Sequence, residues 1–578
     1  MNRIGHAPSA RVLGPCTLRQ PGSGLAALTL TTLLMSGCTG TFSSPGGSGG
    51  SSGSGSGGSS GSGSGGSGAV VLNQGGTTLR LLTRDEYLAS MQALFGTLNV
   101  QLAPPPDNSV AGFVSVGARD LNVTDAAGTA YEAASLSATA EIFADTQRWQ
   151  KLVGCAPKVD LSDACVTTYL KSFGRIAYRR DLTNDEVTRW LGVAKNAATL
   201  AGTAAQGLAS MTSGLLQSPK FLYRVETNKL DGSNGRLKYD GPSMATRLSY
   251  ALTGGPPSAA LLTAATSGQL DTADGVRTAA APLLSSAGFT DRMTAFFSEY
   301  AQAQQVLLVS KSTALSSAFT PAVKSSMSQG IQLFLKNVVL GSNADVRSFY
   351  DSDQTFADAN LAPFYGVQAP ASGFAQFKLP ASSGRAGILG QAGLIAAQSQ
   401  ADRTSPTRRG IFILESLLCI TPPTPPQGVN TMLPVDKTVT TRQQLEAHRK
   451  DPTCANCHAL FDPLGIAMEH FDPIGRYRDQ ENGLPIDATG TVAGASFDGL
   501  AQLGGVLRQD PRALTCLLRN FYRDANGRAE DDEDRDQIDG MGKSLAARSY
   551  IWSNFLGDFV ASDAFRSAPA LPVTTGSP

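Results

Sequence analysis

Apolar residues recur at helical spacing along most of the chain, and many of these runs open on a residue suited to cap a helix. Thr83-Arg84-Asp85-Glu86 has the form of a capping box, with Thr83 as N-cap and Glu86 three residues on. Tyr87, Met91, Leu94 and Phe95 then make one apolar face, and Gly96 supplies a C-terminal stop. The same grammar returns at Thr183-Asn184-Asp185-Glu186, with Val187, Trp190 and Leu191 on the face. Between them, residues 126–151 are Ala-rich and predict a long helix, followed by another over 164–173. Further helices are expected over 204–216, 242–252 (with Pro242 at the first turn), 258–265, 272–284 and 290–303. Thr320 and Pro321 open one whose face is Ile331, Leu333, Phe334, Val338 and Val339. Two helices are expected within 385–419, a short one over 440–450, and two amphipathic ones over 500–507 and 513–521. Convincing alternation of the strand type is scarce. The pattern predicts a mainly α-helical body with short irregular β pieces.

A chain of 578 residues is too long for one core, so three or more units are expected. The formal charge is zero, and without residues 1–37 it is −3, with 44 Lys and Arg against 47 Asp and Glu. No basic field points to nucleic acid. Arg3, Arg11 and Arg19 precede the uncharged run 24–34, too short for a confident spanning helix, and Leu34-Met35-Ser36-Gly37-Cys38 follows. That arrangement is the form of a lipoprotein signal in which Cys38 receives the lipid, an ordinary secretory signal being the alternative. Residues 43–68 are almost entirely Gly and Ser, a flexible coil with a mean span of about 28 Å. After a lipid-bearing cysteine, such a coil is a tether to a membrane.

The chemistry of the chain gathers at Cys454-Ala455-Asn456-Cys457-His458. Two cysteines at C-x-x-C spacing with a histidine next is the c-type haem attachment pattern. One helical turn sets both sulfurs on one side for addition to the haem vinyl groups, and the histidine meets the iron. Two other readings stand beside it: a redox dithiol or disulfide, and a zinc site completed by His448 or His470. After the signal only three histidines remain, His448, His458 and His470, all within 23 residues. With His458 as the proximal iron ligand, the candidates for the distal position are His448, Met468 and His470. A filled sixth position implies electron transfer and an open one implies chemistry on a small ligand. Phe461-Asp462-Pro463-Leu464-Gly465 and Phe471-Asp472-Pro473-Ile474-Gly475 form a doubled phrase of turn chemistry around this site.

The basic segment 400–410, with Arg403, Arg408 and Arg409, reads as a solvated loop, or else as a partner for haem propionates; Arg476 and Arg478 could also pair with them. The acidic run 529–536 reads as a solvated helix start, since it lacks the glycine turn and final glutamate of a calcium loop. In an exported chain Cys155 and Cys165, ten residues apart, are expected to form a disulfide. Cys419 and Cys516, otherwise unassigned, form either a second disulfide or two buried thiols.

The order of several phrases resembles the exported bacterial multidomain cytochrome-like proteins built from domains of unknown function 1587, 1595, 1592, 1588 and 1585 in series. The phrases are Leu82-Thr83-Arg84-Asp85-Glu86-Tyr87, Phe173-Gly174-Arg175-Ile176-Ala177-Tyr178-Arg179-Arg180-Asp181-Leu182-Thr183, Ser218-Pro219-Lys220-Phe221-Leu222-Tyr223-Arg224, Thr404-Ser405-Pro406-Thr407-Arg408-Arg409-Gly410, and Cys454 through Arg478. The chain departs from that pattern in Ala251-Leu252-Thr253, where an aromatic–Trp pair is expected, in Met468 for Leu and in His470 for Asn. Within that pattern His448 is the better match for a distal ligand. The resemblance strengthens the fold and the haem, and implies no substrate.

The organisation expected is a signal peptide over 1–37, a lipid anchor and tether over 38–76, and helical domains over 77–151, 152–230 and 231–375. A haem-attachment domain over 384–482 and a C-terminal helical domain over 495–565 follow. The function expected is that of a redox protein held in the cell envelope by its N-terminal lipid, facing the periplasm or cell exterior. It would carry one covalent haem c and meet an unknown redox partner protein, in electron transfer or as a haem oxidoreductase. The alternative is a non-enzymatic envelope module in which the C-x-x-C-H is a clasp. Nucleotide-binding loops, Ser-His-Asp sets and metalloprotease motifs do not occur.

Overall fold

In the computed structural model, residues 75–119, 123–230, 236–424 and 436–568 are described. The signal segment, Cys38, the Gly/Ser stretch and the end of the proline-rich 421–426 linker lie outside them. Local capping dictates many of the helix starts. Thr83 Oγ1 accepts from Glu86 N at 3.2 Å, and Glu86 Oε2 accepts from Thr83 N at 3.1 Å, so the Arg84–Phe95 helix opens on a complete capping box. The Thr183 box opens Asn184–Ala201 in the same way, and a third at Thr440 opens Thr441–His448. The Ala-rich stretch is two helices. Asp145 ends Asp125–Ala144 and its carboxylate then caps Thr146–Val153, accepting from Gln147 N and Arg148 N.

The body is mainly α, with short strands at its margins. Gly75–Leu81 pairs antiparallel with Tyr223–Leu230, in the register Leu79 to Val225, and Leu237–Tyr239 follows. Ser567–Ala568, the last described strand, closes the far edge of the same sheet. Three two-stranded pairs complete the β content: Gln354–Ala357 with Ala375–Lys378, Gln480–Glu481 with Leu484–Pro485, and Thr489–Val492 with Ala495–Asp498.

The N-terminal helices surround one apolar cluster that includes Tyr87, Ile142, Trp149, Leu170 and Leu215. A larger cluster runs from Phe113 to Phe565 and takes in Phe461 and Leu464 of the segment bearing the C-x-x-C-H. At its centre Phe296 stacks near Trp552, with ring centroids 6.2 Å apart, and meets Phe521 edge-on at 5.2 Å. Residues far apart in sequence therefore share one core. Across the sheet runs a buried chain of charges. Arg224 Nη1 donates to Glu86 Oε1 at 2.9 Å and its Nη2 to Glu226 Oε1 at 3.2 Å. Arg247 Nη1 donates to Glu226 Oε2 at 2.7 Å and its Nη2 to Asn526 Oδ1 at 2.6 Å. Glu86 thus caps its own helix and anchors a strand in one side chain.

Two expectations change here. The acidic run does open a helix, Arg535–Ala547, with Asp531, Asp532 and Asp536 exposed, but it is solvated only in part. Asp534 is fully buried, where it takes the hydroxyl of Tyr522 at 2.6 Å and the guanidinium of Arg528, while Glu530 is held by Arg519 and Arg523. Preceding arginines neutralise it, a feature invisible in the acidic residues alone. Secondly, Asp462-Pro463-Leu464-Gly465 is not a turn. It lies inside the helix Pro452–Ile466, while only the second copy turns, with Gly475 N donating to Asp472 O at 3.0 Å.

Both expected disulfides are formed, Cys155–Cys165 and Cys419–Cys516. The second joins segments 97 residues apart, at the end of the Pro406–Leu417 helical segment and on the Pro511–Asn526 helix. Replacing Cys419 and Cys516 together by Ser is expected to cost about 2–5 kcal/mol, read as a lowered urea midpoint that the wild type reproduces only under reducing conditions.

Candidate functional site

Asp451 caps the Pro452–Ile466 helix by accepting from Thr453 N at 2.8 Å, and Pro452 occupies the first turn, where its missing N–H costs nothing. The C-x-x-C-H therefore falls in the opening turns of a helix. Cys454, Cys457, His458 and Phe461 stand at i, i+3, i+4 and i+7, so they share a stripe, and all four line one cavity of about 1120 Å³. Both thiols are free. Burial, with Asp451 and Cys457 adding, holds the Cys454 thiol above the ordinary thiol range.

Around the same cavity stand His448 from the short Thr441–His448 helix, Arg403, Arg408 and Ile411 from the Thr404 phrase and the helix after it, and Arg478. The His448 and His458 rings meet edge to face with centroids 4.7 Å apart, and Phe461 meets His458 on another side at 5.0 Å. Of the three candidates for a second iron ligand, only His448 reaches the cavity. Met468 is 1% exposed within the main core, a consequence of its place just beyond the helix end. His470 stacks on Tyr477 at 5.5 Å and its Nδ1 lies 3.0 Å from the carbonyl of Arg478.

Beyond Phe461, the same stripe of the Pro452–Ile466 helix is packed against Pro406–Phe412 at unusually close range. A Cβ on Gly410 would sit 1.9 Å from the carbonyl oxygen of Phe461, and one on Gly465 would sit 1.8 Å from that of Pro406. The atoms met are backbone rather than flexible side chain, so a side chain at either position would have to force the two helices apart. This crossing brings Thr407 Oγ1 within 3.2 Å of Asp462 Oδ1, while Asp462 Oδ2 accepts from His458 Nδ1 at 2.9 Å. With Nδ1 donating, His458 is left with Nε2 as the nitrogen that bears a lone pair.

The segment 400–410 is only in part the solvated loop its composition suggests. Arg408 is exposed and Arg403 half-buried at the cavity, but Arg409 is fully buried. Its guanidinium donates to Met468 O at 2.7 Å, Glu469 Oε1 at 3.0 Å, Ser399 Oγ at 2.9 Å and Phe471 O at 3.0 Å. Glu469 also takes Thr404 Oγ1 at 2.7 Å and Arg478 Nη2 at 3.1 Å. Burial lowers Arg409 to about 10 and raises Glu469, while Arg409 and Arg478 beside the carboxylate oppose that rise. Glu469 was not singled out by motif reading, and Thr407, Arg409 and Asp462 stood within the phrases noted above without these roles.

Among the described residues no group of three or more His, Cys, Asp or Glu side chains could hold a metal ion by itself. A structural zinc site needs four such donors, whereas haem supplies four of the iron ligands and asks one or two of the protein. The cavity exceeds the usual range for a bound small molecule, so its size is compatible with a porphyrin. It has apolar walls at Leu315, Ile411 and Phe461 and cations at its margin. The residues present fit a covalent haem: two thiols for its vinyl groups, His458 for the iron, and Arg403, Arg408 and Arg478 near enough to the cavity to meet carboxylates.

Two outcomes test this packing. Gly465→Ala is expected to lose about 1–3 kcal/mol of stability by overpacking against the Pro406 carbonyl, measured by guanidinium unfolding. Arg409→Met is expected to cost about 3–5 kcal/mol because buried Glu469 loses one of its two cations and keeps only Arg478, and Arg409→Met with Glu469→Gln should recover part of it.

Four protein-family models match the chain in series. Each is described as a protein of unknown function: DUF1595 over residues 165–226, DUF1592 over 240–367, DUF1588 over 385–481 and DUF1585 over 493–565. The DUF1588 match holds the C-x-x-C-H, His448 and both helices of the glycine crossing, while Leu315 of the cavity wall falls in the DUF1592 match. The 1587 domain expected at the N-terminal side is not matched. No curated protein and no solved structure matches the chain. The chain belongs to the multidomain proteins in which domains of unknown function 1595, 1592, 1588 and 1585 follow one another.

Proposed function

We propose that the protein is a c-type haem protein of the cell envelope, carrying one haem on Cys454 and Cys457 and serving electron transfer or a haem-dependent oxidoreduction. The observation that carries this reading is the stripe Cys454, Cys457, His458: two free thiols and an imidazole on one helix face, all opening on one large cavity. When bound, haem supplies a one-electron couple at iron. The protein's part is to clamp the porphyrin edge through two thioether links, present His458 Nε2, and shield the site with Phe461 and Ile411. His448 would be the candidate for a second protein ligand to iron, and Arg403 and Arg408, with Arg478 already paired to Glu469 and Glu481, would be the cations nearest the haem propionates.

Other readings of the motif are less well supported. A reactive dithiol depends on a thiol of lowered pKa, and the Cys454 thiol is raised. A zinc clasp lacks a convergent donor set among the described residues. No helix among the described residues is long and apolar enough to cross a membrane. Attachment to the envelope is proposed through a lipid on Cys38, with the 43–68 coil as tether and a redox protein as partner.

The test is a pyridine haemochrome spectrum on full-length protein made with the c-haem maturation machinery, beside a Cys457→Ala control. The expected result is a covalent haem band that the control loses or shifts to the single-thioether form. Carbon monoxide added to the reduced protein then tells an open iron from one closed by His448. A folded protein without haem would overturn the proposal and return the motif to a dithiol or zinc clasp.

A further inference from the structure

The helix that bears the attachment motif also carries a carboxylate that haem attachment does not require. Asp462 lies one helical turn after His458 and is fully buried. Its carboxylate has two partners: His458 Nδ1 at 2.9 Å on Oδ2, and the Thr407 hydroxyl at 3.2 Å on Oδ1. Among the described residues, no lysine or arginine forms an ion pair with it. A buried carboxylate normally requires a cation or several donors. Here the donors are one imidazole N–H and one hydroxyl, in a place where burial leaves electrostatic interactions poorly screened.

The aim is rigid. Asp462 sits on the turn that the Gly410–Gly465 crossing presses against Pro406–Phe412, and Thr407 comes from that same helix. With no space between the two backbones at the crossing and Asp462 fully buried, the carboxylate is packed against His458. A hydrogen bond from a ligating imidazole to a carboxylate makes the imidazole a stronger donor to metal, and such bonds are one of the levers by which a protein tunes haem. A stronger donor favours ferric over ferrous iron.

Resting on the haem reading above, we propose that Asp462 is a positioning residue that acts through His458 to hold the haem iron at a low reduction potential, with Thr407 moderating its effect. The site would then suit a donor that gives up its electron readily, or an oxidoreductase that stabilises high-valent or ferric iron. It would not suit a high-potential acceptor.

Equilibrium redox titration of the full haem-loaded chain tests this, with one electron passing from the added reductant to ferric iron and no protein bond broken. Asp462→Asn keeps an acceptor for Nδ1 and removes the charge. The expected result is covalent haem retained and the ferric–ferrous equilibrium moved about tenfold toward ferrous, about 59 mV upward for a one-electron couple. Thr407→Val removes the donor that draws charge from Oδ1 and is expected to move the potential in the opposite direction, by less. Should Asp462→Asn fail to fold, the sign of the Thr407→Val shift decides. Haem attached in wild type and variants with one common potential would overturn this inference and leave the haem reading standing. Wild type without haem would overturn both.

Discussion

Where the Pro406–Phe412 helix crosses the Pro452–Ile466 helix there is no room for a side chain on either backbone at Gly410 or Gly465. That close approach sets the position of everything around the C-x-x-C-H. It fixes the rotation of the attachment helix, so Cys454, Cys457, His458 and Phe461 face the cavity while Asp462 and Leu464 face inward. It delivers Thr407 to Asp462, and it carries Arg409 beneath the segment that follows the helix. The crossing costs helix propensity at both glycines, and buried contact over the rest of the two helices offsets that cost.

Burial of charge is the second organising theme. Arg409 and Glu469 tie the end of the attachment helix to the preceding helix, and Glu86, Arg224, Glu226 and Arg247 tie the first helix to the sheet and to Asn526. Pairs this deep add little net stability over apolar packing, but removing one partner is costly. Their effect is to make one arrangement of the segments far better than its neighbours. Around the site this matters because two separate helices and the chain beyond Phe471 must meet at fixed distances.

Much of the helical architecture was legible in the amino-acid pattern because a helix start is a local event. Thr83, Thr183 and Thr320 cap helices through bonds to residues three positions away, and no distant partner is required. Strand pairing was not legible, since Gly75–Leu81 finds its partner only at Tyr223–Leu230. The Asp462-Pro463-Leu464-Gly465 phrase reads as a turn because proline and glycine favour one. In the folded chain the helix persists through it, because Gly465 is needed against Pro406 and Asp462 is held by His458 and Thr407. The C-x-x-C-H residues themselves stood out, because the chemistry proposed for them depends on spacing within one helical turn. Their supports did not, because Thr407, Arg409 and Glu469 act across elements.

The central claim is that Cys454 and Cys457 hold a haem. Tryptic digestion of the protein made with c-haem maturation, followed by mass spectrometry of the peptide from 451 to 476, addresses it most directly. The account predicts a peptide carrying the mass of one haem, with neither cysteine open to alkylation. Recovery of that peptide at its bare mass, with both thiols alkylated or joined to each other, would contradict it.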